Sequence, residues 1–145
     1  MENKDKLIQL IKKQIGIERD HVKRIDELQK KVDTAAAKLL LLEMRLDSQK
    51  HASILGGILK VLKGIPPSKA LWEYHMESYV DKLAVKKELE NHVKMETDVL
   101  GHVEEEIKQT KDDGLKLLLQ HIAEDEKKHH KILETIVRYA YKINP

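Results

Sequence analysis

The chain has 145 residues, 41% hydrophobic and 36% charged, with a net charge of +2 and no cysteine. That length suits one domain whose core needs no covalent or metal staple. The missing cysteines exclude disulfides, thiolate zinc sites, iron–sulfur clusters and a thiol nucleophile, and the intermixed charges, without a basic block, argue against nucleic acid as a partner.

Lys, Glu and Leu dominate, Phe is absent and only three prolines occur, so the elements are expected to be long helices. The first is predicted from about Lys4 to Val32, with a stripe of Ile8, Ile11, Ile15, Glu18, Val22, Ile25 and Val32 at helical spacing. Asp33-Thr34 supplies a short turn and an N-cap. The second helix then runs from Ala35 to Leu62 or Lys63, with a stripe of Leu40, Met44, Asp47, His51, Ile54 and Ile58. Gly64-Ile65-Pro66-Pro67 is the strongest breaker in the chain. Residues 64–78 read as a crossover carrying a short helix around Leu71–Glu77, with Ser68 as its cap. A third helix follows from about Tyr79 to Gln109, with Val85, Leu89, His92, Glu96, Val99, Val103 and Ile107 in its stripe. Asp112-Asp113-Gly114 marks the last turn. The fourth helix extends from Gly114 to Lys142, with Leu118, Ile122, Asp125, His129, Ile132 and Ile136. Short first and last connections and a longer middle one fit an all-α four-helix bundle with one crossover, hairpin 1–63 and hairpin 79–145 forming a single domain.

The chain resembles itself. Slid along itself until Ala37 meets Leu115, it lays AKLLLLEMRLDSQKHASIL (37–55) on LKLLLQHIAEDEKKHHKIL (115–133) without a gap. The identities include Asp47/Asp125, Lys50/Lys128, His51/His129 and Ile54/Ile132, and upstream Glu18/Glu96 and Asp20/Asp98. Aligned leucines are expected of any two amphipathic helices; Glu, Asp and His coinciding in one register are not. The expectation is a duplicated helical hairpin with a pseudo-twofold axis.

The repeated polar residues interrupt apolar stripes, and an unpartnered ionised carboxylate in a core is costly. Divalent metals give the four helices a common reason to carry acids and imidazoles inward, because they neutralise the charge and take both ligand types. An acid and a histidine three or four residues apart share a helix face and reach one ion.

This set resembles the ferritin-like di-iron carboxylate family, which includes rubrerythrins and ferritins and uses one Glu from each of two helices and Glu-x-x-His from each of the others. Glu126-Lys127-Lys128-His129 fits the second motif, and Glu18 and Glu96 fit the single glutamates. The second helix departs from the pattern: three residues before His51 stands Ser48, and the available acid is Asp47, four before. Either both halves use Asp-x-x-x-His with Glu126 in addition, or the site is asymmetric; Asp47 is favoured because Asp125 repeats it. The expected metal ligands are therefore Glu18, Asp47, His51, Glu96, Asp125, Glu126 and His129. Glu43, His92, His121 and His21 are further candidates, better suited to hydrogen-bonding the ligands or to the helix surface. His75, His102 and His130 are expected in solvent, and Tyr74, Tyr79, Tyr139 and Tyr141 near the helix ends.

The resemblance implies a ferritin-like fold without a four-cysteine rubredoxin domain. It implies two metal ions, iron first, although carboxylate and imidazole also suit manganese and zinc. It further implies an oxidoreductase acting on peroxide or dioxygen, with an external electron donor if the reaction is a peroxidase one, and a homodimer. Two other readings stand beside it: an iron-handling protein, and a non-catalytic helical module that has kept the fold and lost the chemistry. No run approaches the ~18 apolar residues of a membrane span. MENKDKLIQLIKKQ has no uninterrupted apolar stretch, so the expected location is cytoplasmic, with no membrane partner.

Overall fold

The computed structural model describes residues 2–76 and 80–141. Among them are four helices and no strand: α1 (Glu2–Lys31), α2 (Ala35–Gly64), α3 (Lys82–Gln109) and α4 (Asp113–Ala140). Each spans 28 or 30 residues, about 42–45 Å at ~1.5 Å per residue. They form two compact units, one of residues 1–71 and one of residues 72–145. In each, two antiparallel helices pack against one another, α1 on α2 and α3 on α4. No helix among the described residues is long and apolar enough to cross a membrane.

Capping chemistry sets the helix starts. Thr34 accepts from the Ala37 backbone N–H, Asp81 from Ala84 and Asp112 from Leu115, so each side chain satisfies an otherwise orphaned donor of the first turn. Asp112→Ala is expected to cost about 1 kcal/mol, a fall of roughly 2–4 °C in the melting midpoint read by circular dichroism.

In the first hairpin the turn end is clasped by a reciprocal pair: Gln29 Nε2 donates to the Lys38 carbonyl (3.2 Å) and Lys38 Nζ to the Gln29 carbonyl (3.1 Å). The open end is tied by Lys4 Nζ on the Ile65 carbonyl at 3.3 Å. In the second hairpin Thr97 Oγ1 and His130 Nδ1 meet at 3.4 Å between α3 and α4. Its entry segment is held by Trp72, stacked on Tyr139 with ring centroids 5.3 Å apart.

The expected stripes of α1 and α3 lie largely inward: Ile11, Ile15, Glu18 and Val103 are buried. Those of α2 and α4 are turned by about one residue. Met44, Ile54, Ile122 and Ile132 are exposed, whereas Ser48 and Ala123 are buried. The second helix is apolar around much of its circumference, as in AAAKLLLL, so its pattern does not choose one phase.

The short helix expected around Leu71–Glu77 does not form over residues 71–76, where only a turn at residues 71–73 occurs. Ser68 lies in a tight turn closed by the Lys69 N–H on the Pro66 carbonyl (3.0 Å), so it caps no helix. Two consecutive prolines and the ring stack of Trp72 hold the segment otherwise. Glu77 and Tyr79, the expected boundaries there, and Lys142, the expected end of the fourth helix, lie outside the described residues.

Candidate metal centre

In the first hairpin Glu18 is buried midway along α1, on the face turned to α2. Gln14, one turn earlier, donates to its Oε1 at 3.1 Å. The other oxygen, Oε2, is buried without a hydrogen-bond partner and stands 3.6 Å from His51 Nδ1 on α2. That separation is too long for a hydrogen bond.

The second hairpin holds the matching pair at the equivalent positions of the repeat. Glu96 Oε2 is also buried without a hydrogen-bond partner and stands 3.7 Å from His129 Nδ1. A third donor joins it here: Glu126 Oε1 lies 3.8 Å from the same ring nitrogen, one turn before His129 on α4. One donor atom from each of Glu96, Glu126 and His129 fits within a mutual distance of 4.8 Å, close enough for one cation to touch all three. Among the described residues this is the one group of three or more acid and imidazole side chains so placed.

The Glu126 carboxyl is held above its usual value of 4.5, first by the hydrogen bond it shares with the Glu96 carboxyl, then by burial and by the Glu96 charge. Protonating Glu126 relieves the repulsion between the two carboxyls, and a divalent cation between them would relieve it in the same way. The expected metal affinity therefore rises with pH as Glu126 loses its proton. The metal-free protein shows the opposite linkage. A folded-state pKa above the unfolded one gives stability that is full below the unfolded value and lost as pH climbs through the folded value. Glu126→Gln, which fixes the protonated shape, should flatten both dependences. Metal titrations and urea melts across the acid range would read them.

The other sequence-derived candidates are not among these three donors, although the Asp125 charge also acts on Glu126. Asp47 pairs with Lys50 at 3.4 Å and is about half exposed, and Asp125 is exposed. His21 and His92 are exposed, and Glu43 and His121 are half-buried. His130, one-third exposed, bridges Thr97 and Glu134, the latter at 2.9 Å from Nε2. His102, at 79% exposure, does face water, with Glu106 at 3.1 Å.

Arg45 was not legible as part of this picture. It lies on α2 one turn before Ser48, and its Nε is buried without a hydrogen-bond partner. A cation inside a Leu-rich stretch, opposite Ala123 in the register of the repeat, was the available signal.

Two buried carboxylate oxygens without partners, each turned to an imidazole, are an unfavourable arrangement in an empty core. Their donor chemistry, oxygen with imidazole nitrogen, suits iron, manganese or zinc. Comparison with known proteins agrees with this chemistry: a family model described as Rubrerythrin matches residues 9–137. No curated protein and no solved structure matches the chain.

Proposed function

The chain belongs to the rubrerythrin family, a ferritin-like all-α family of di-iron proteins, and from that premise we propose that it binds a pair of metal ions, iron in the cell, and acts as an oxidoreductase on peroxide or dioxygen. Glu18 and His51 hold metal from the first hairpin, and Glu96, Glu126 and His129 from the second. The observation that carries this reading is the orphaned Oε2 of both Glu18 and Glu96, each beside a histidine Nδ1 at 3.6–3.7 Å. The recurrence of the pair in the register of the repeat supports a duplicated hairpin as its origin.

A bound iron pair would supply the two electrons that peroxide reduction consumes, replenished by an external donor. The protein's own part is to place and protect. Gln14 fixes one oxygen of Glu18 so that the other faces His51. Burial of Glu18, and of most of Glu96 and Glu126, keeps water from competing for the carboxylates. Glu126, its carboxyl held above the usual value by the neighbouring Glu96 and by burial, takes up metal more readily as pH rises.

The test is metal content of protein purified without an affinity tag or chelator, followed by anaerobic titration with ferrous iron. Bound iron, oxidised on adding peroxide and restored by a chemical reductant, supports the reading. A chain that stays metal-free under ferrous saturation while fully helical would sink it.

A further inference from the structure

The two hairpins differ at the positions that matter most for a cation. In the register of the repeat Glu126 corresponds to Ser48, and Ala123 to Arg45. Ser48 is buried at 8% exposure, so it occupies the inward position that Glu126 occupies on α4 and not a surface one. Arg45 precedes it by one turn, about 4.5 Å along the axis, with its Nε buried and unpartnered. The first hairpin thus offers one carboxylate and one imidazole, with a half-buried guanidinium one turn before Ser48. The second offers two carboxylates and an imidazole beside an alanine. With the histidines neutral, formal charge at these four equivalent positions is zero in the first hairpin and −2 in the second.

Resting on the metal-binding reading above, we propose that the two half-sets are built unequal. The second hairpin holds one divalent ion tightly by Glu96, Glu126 and His129, and the first holds its ion weakly because Ser48 supplies no carboxylate and Arg45 repels a cation. The chain then loads in two resolved steps, and the ion of the first hairpin is the exchangeable one. Such a protein keeps one metal under scarcity and completes the pair only when metal is plentiful, which makes metal supply a regulator of the site.

Anaerobic calorimetric titration of the metal-free full chain with ferrous iron, repeated with cobalt(II), reads the steps without any activity. Two steps whose dissociation constants differ by at least about 100-fold are expected, since loss of even an outer hydrogen-bond partner costs metal sites roughly 10–100-fold. Ser48→Glu should tighten the weak step by a similar factor and leave the tight step in place. Arg45→Ala should tighten the weak step as well, and it serves as the test if Ser48→Glu loses its helical signal. Glu126→Ser should bring the tight step down to the weak one. Two equal steps in the natural chain, or a weak step unmoved in both Ser48→Glu and Arg45→Ala with helicity intact, would overturn the inference while leaving metal binding standing. Absence of any binding, in the natural chain and in Ser48→Glu, would overturn the inference and the reading beneath it together.

Discussion

In Glu96→Ala the affinity for the first divalent ion falls by at least about 100-fold, the largest effect expected of any single change in the second hairpin. Glu96 is the only member of the three-donor group that comes from α3, so its loss leaves Glu126 and His129, two donors on one helix. The carboxyl pair is also broken, which removes the largest cause that holds the Glu126 carboxyl above its usual value. Thermal melts give the cleanest comparison. At a free-ion concentration of about 100 times the dissociation constant, binding adds about 2.7 kcal/mol to the natural chain, a rise of roughly 5–10 °C in the melting midpoint. The variant should show little of that rise at the same concentration. A natural chain whose midpoint ignores ferrous iron, or a variant whose rise equals it, would refute the assignment.

The second large effect has the opposite sign. Glu18→Leu should make the metal-free protein more stable, by about 1–2 kcal/mol at neutral pH and so roughly 2–8 °C in midpoint, while weakening the binding of metal to the first hairpin. Glu18 is 8% exposed and its Oε2 has no hydrogen-bond partner, so the carboxylate loses hydration on folding without full compensation. Leucine of similar length would pack against Ile11, Ile15 and the facing side of α2 with nothing left to satisfy. Gln14, which loses its acceptor, is exposed and turns to water. A residue that lowers the stability of the empty protein and is nevertheless built into its core is the signature of a ligand. A variant no more stable than the natural chain would remove that argument for Glu18.

Much of this was legible in the sequence because it is written in local chemistry. The helix starting at Ala35 follows from the Thr34 side chain that caps it, a short-range interaction a sequence displays directly, and the start of α4 falls within the turn read at Asp112-Asp113-Gly114, one residue before the expected Gly114. Glu18, His51, Glu96 and His129 stood out because a polar residue inside an apolar stripe is conspicuous and because the four align in one register, whereas Glu126, which faces Ser48 in that register, stood out only through its Glu-x-x-His spacing to His129. The choice between Asp47 and Ser48 was not available at that level. The two positions differ by ~100° around the helix axis. Which of them turns toward α1 depends on the phase in which the helices pack, and the leucines of α2 offer several phases of nearly equal apolarity. Packing buries Ser48 and leaves Asp47 at the margin beside Lys50. The crossover was illegible for a related reason. SKALWEY carries residues with fair helix propensity, but ring stacking and a proline-led turn decide its path, and neither shows as periodicity.

Trp72 is the only tryptophan in the chain, and it lies face to face with Tyr139 near the C-terminal end of α4. The molecule therefore carries a built-in fluorophore whose emission reports on one place alone, the attachment of the entry segment to the last turns of that helix. Stacking on Tyr139 sets the surroundings of the indole, so selective excitation of the tryptophan at the red edge of its absorption reads the contact and needs no dye. Loosening of the segment during metal titration or unfolding can then be followed in real time and separated from loss of helix, because the two signals come from different chromophores.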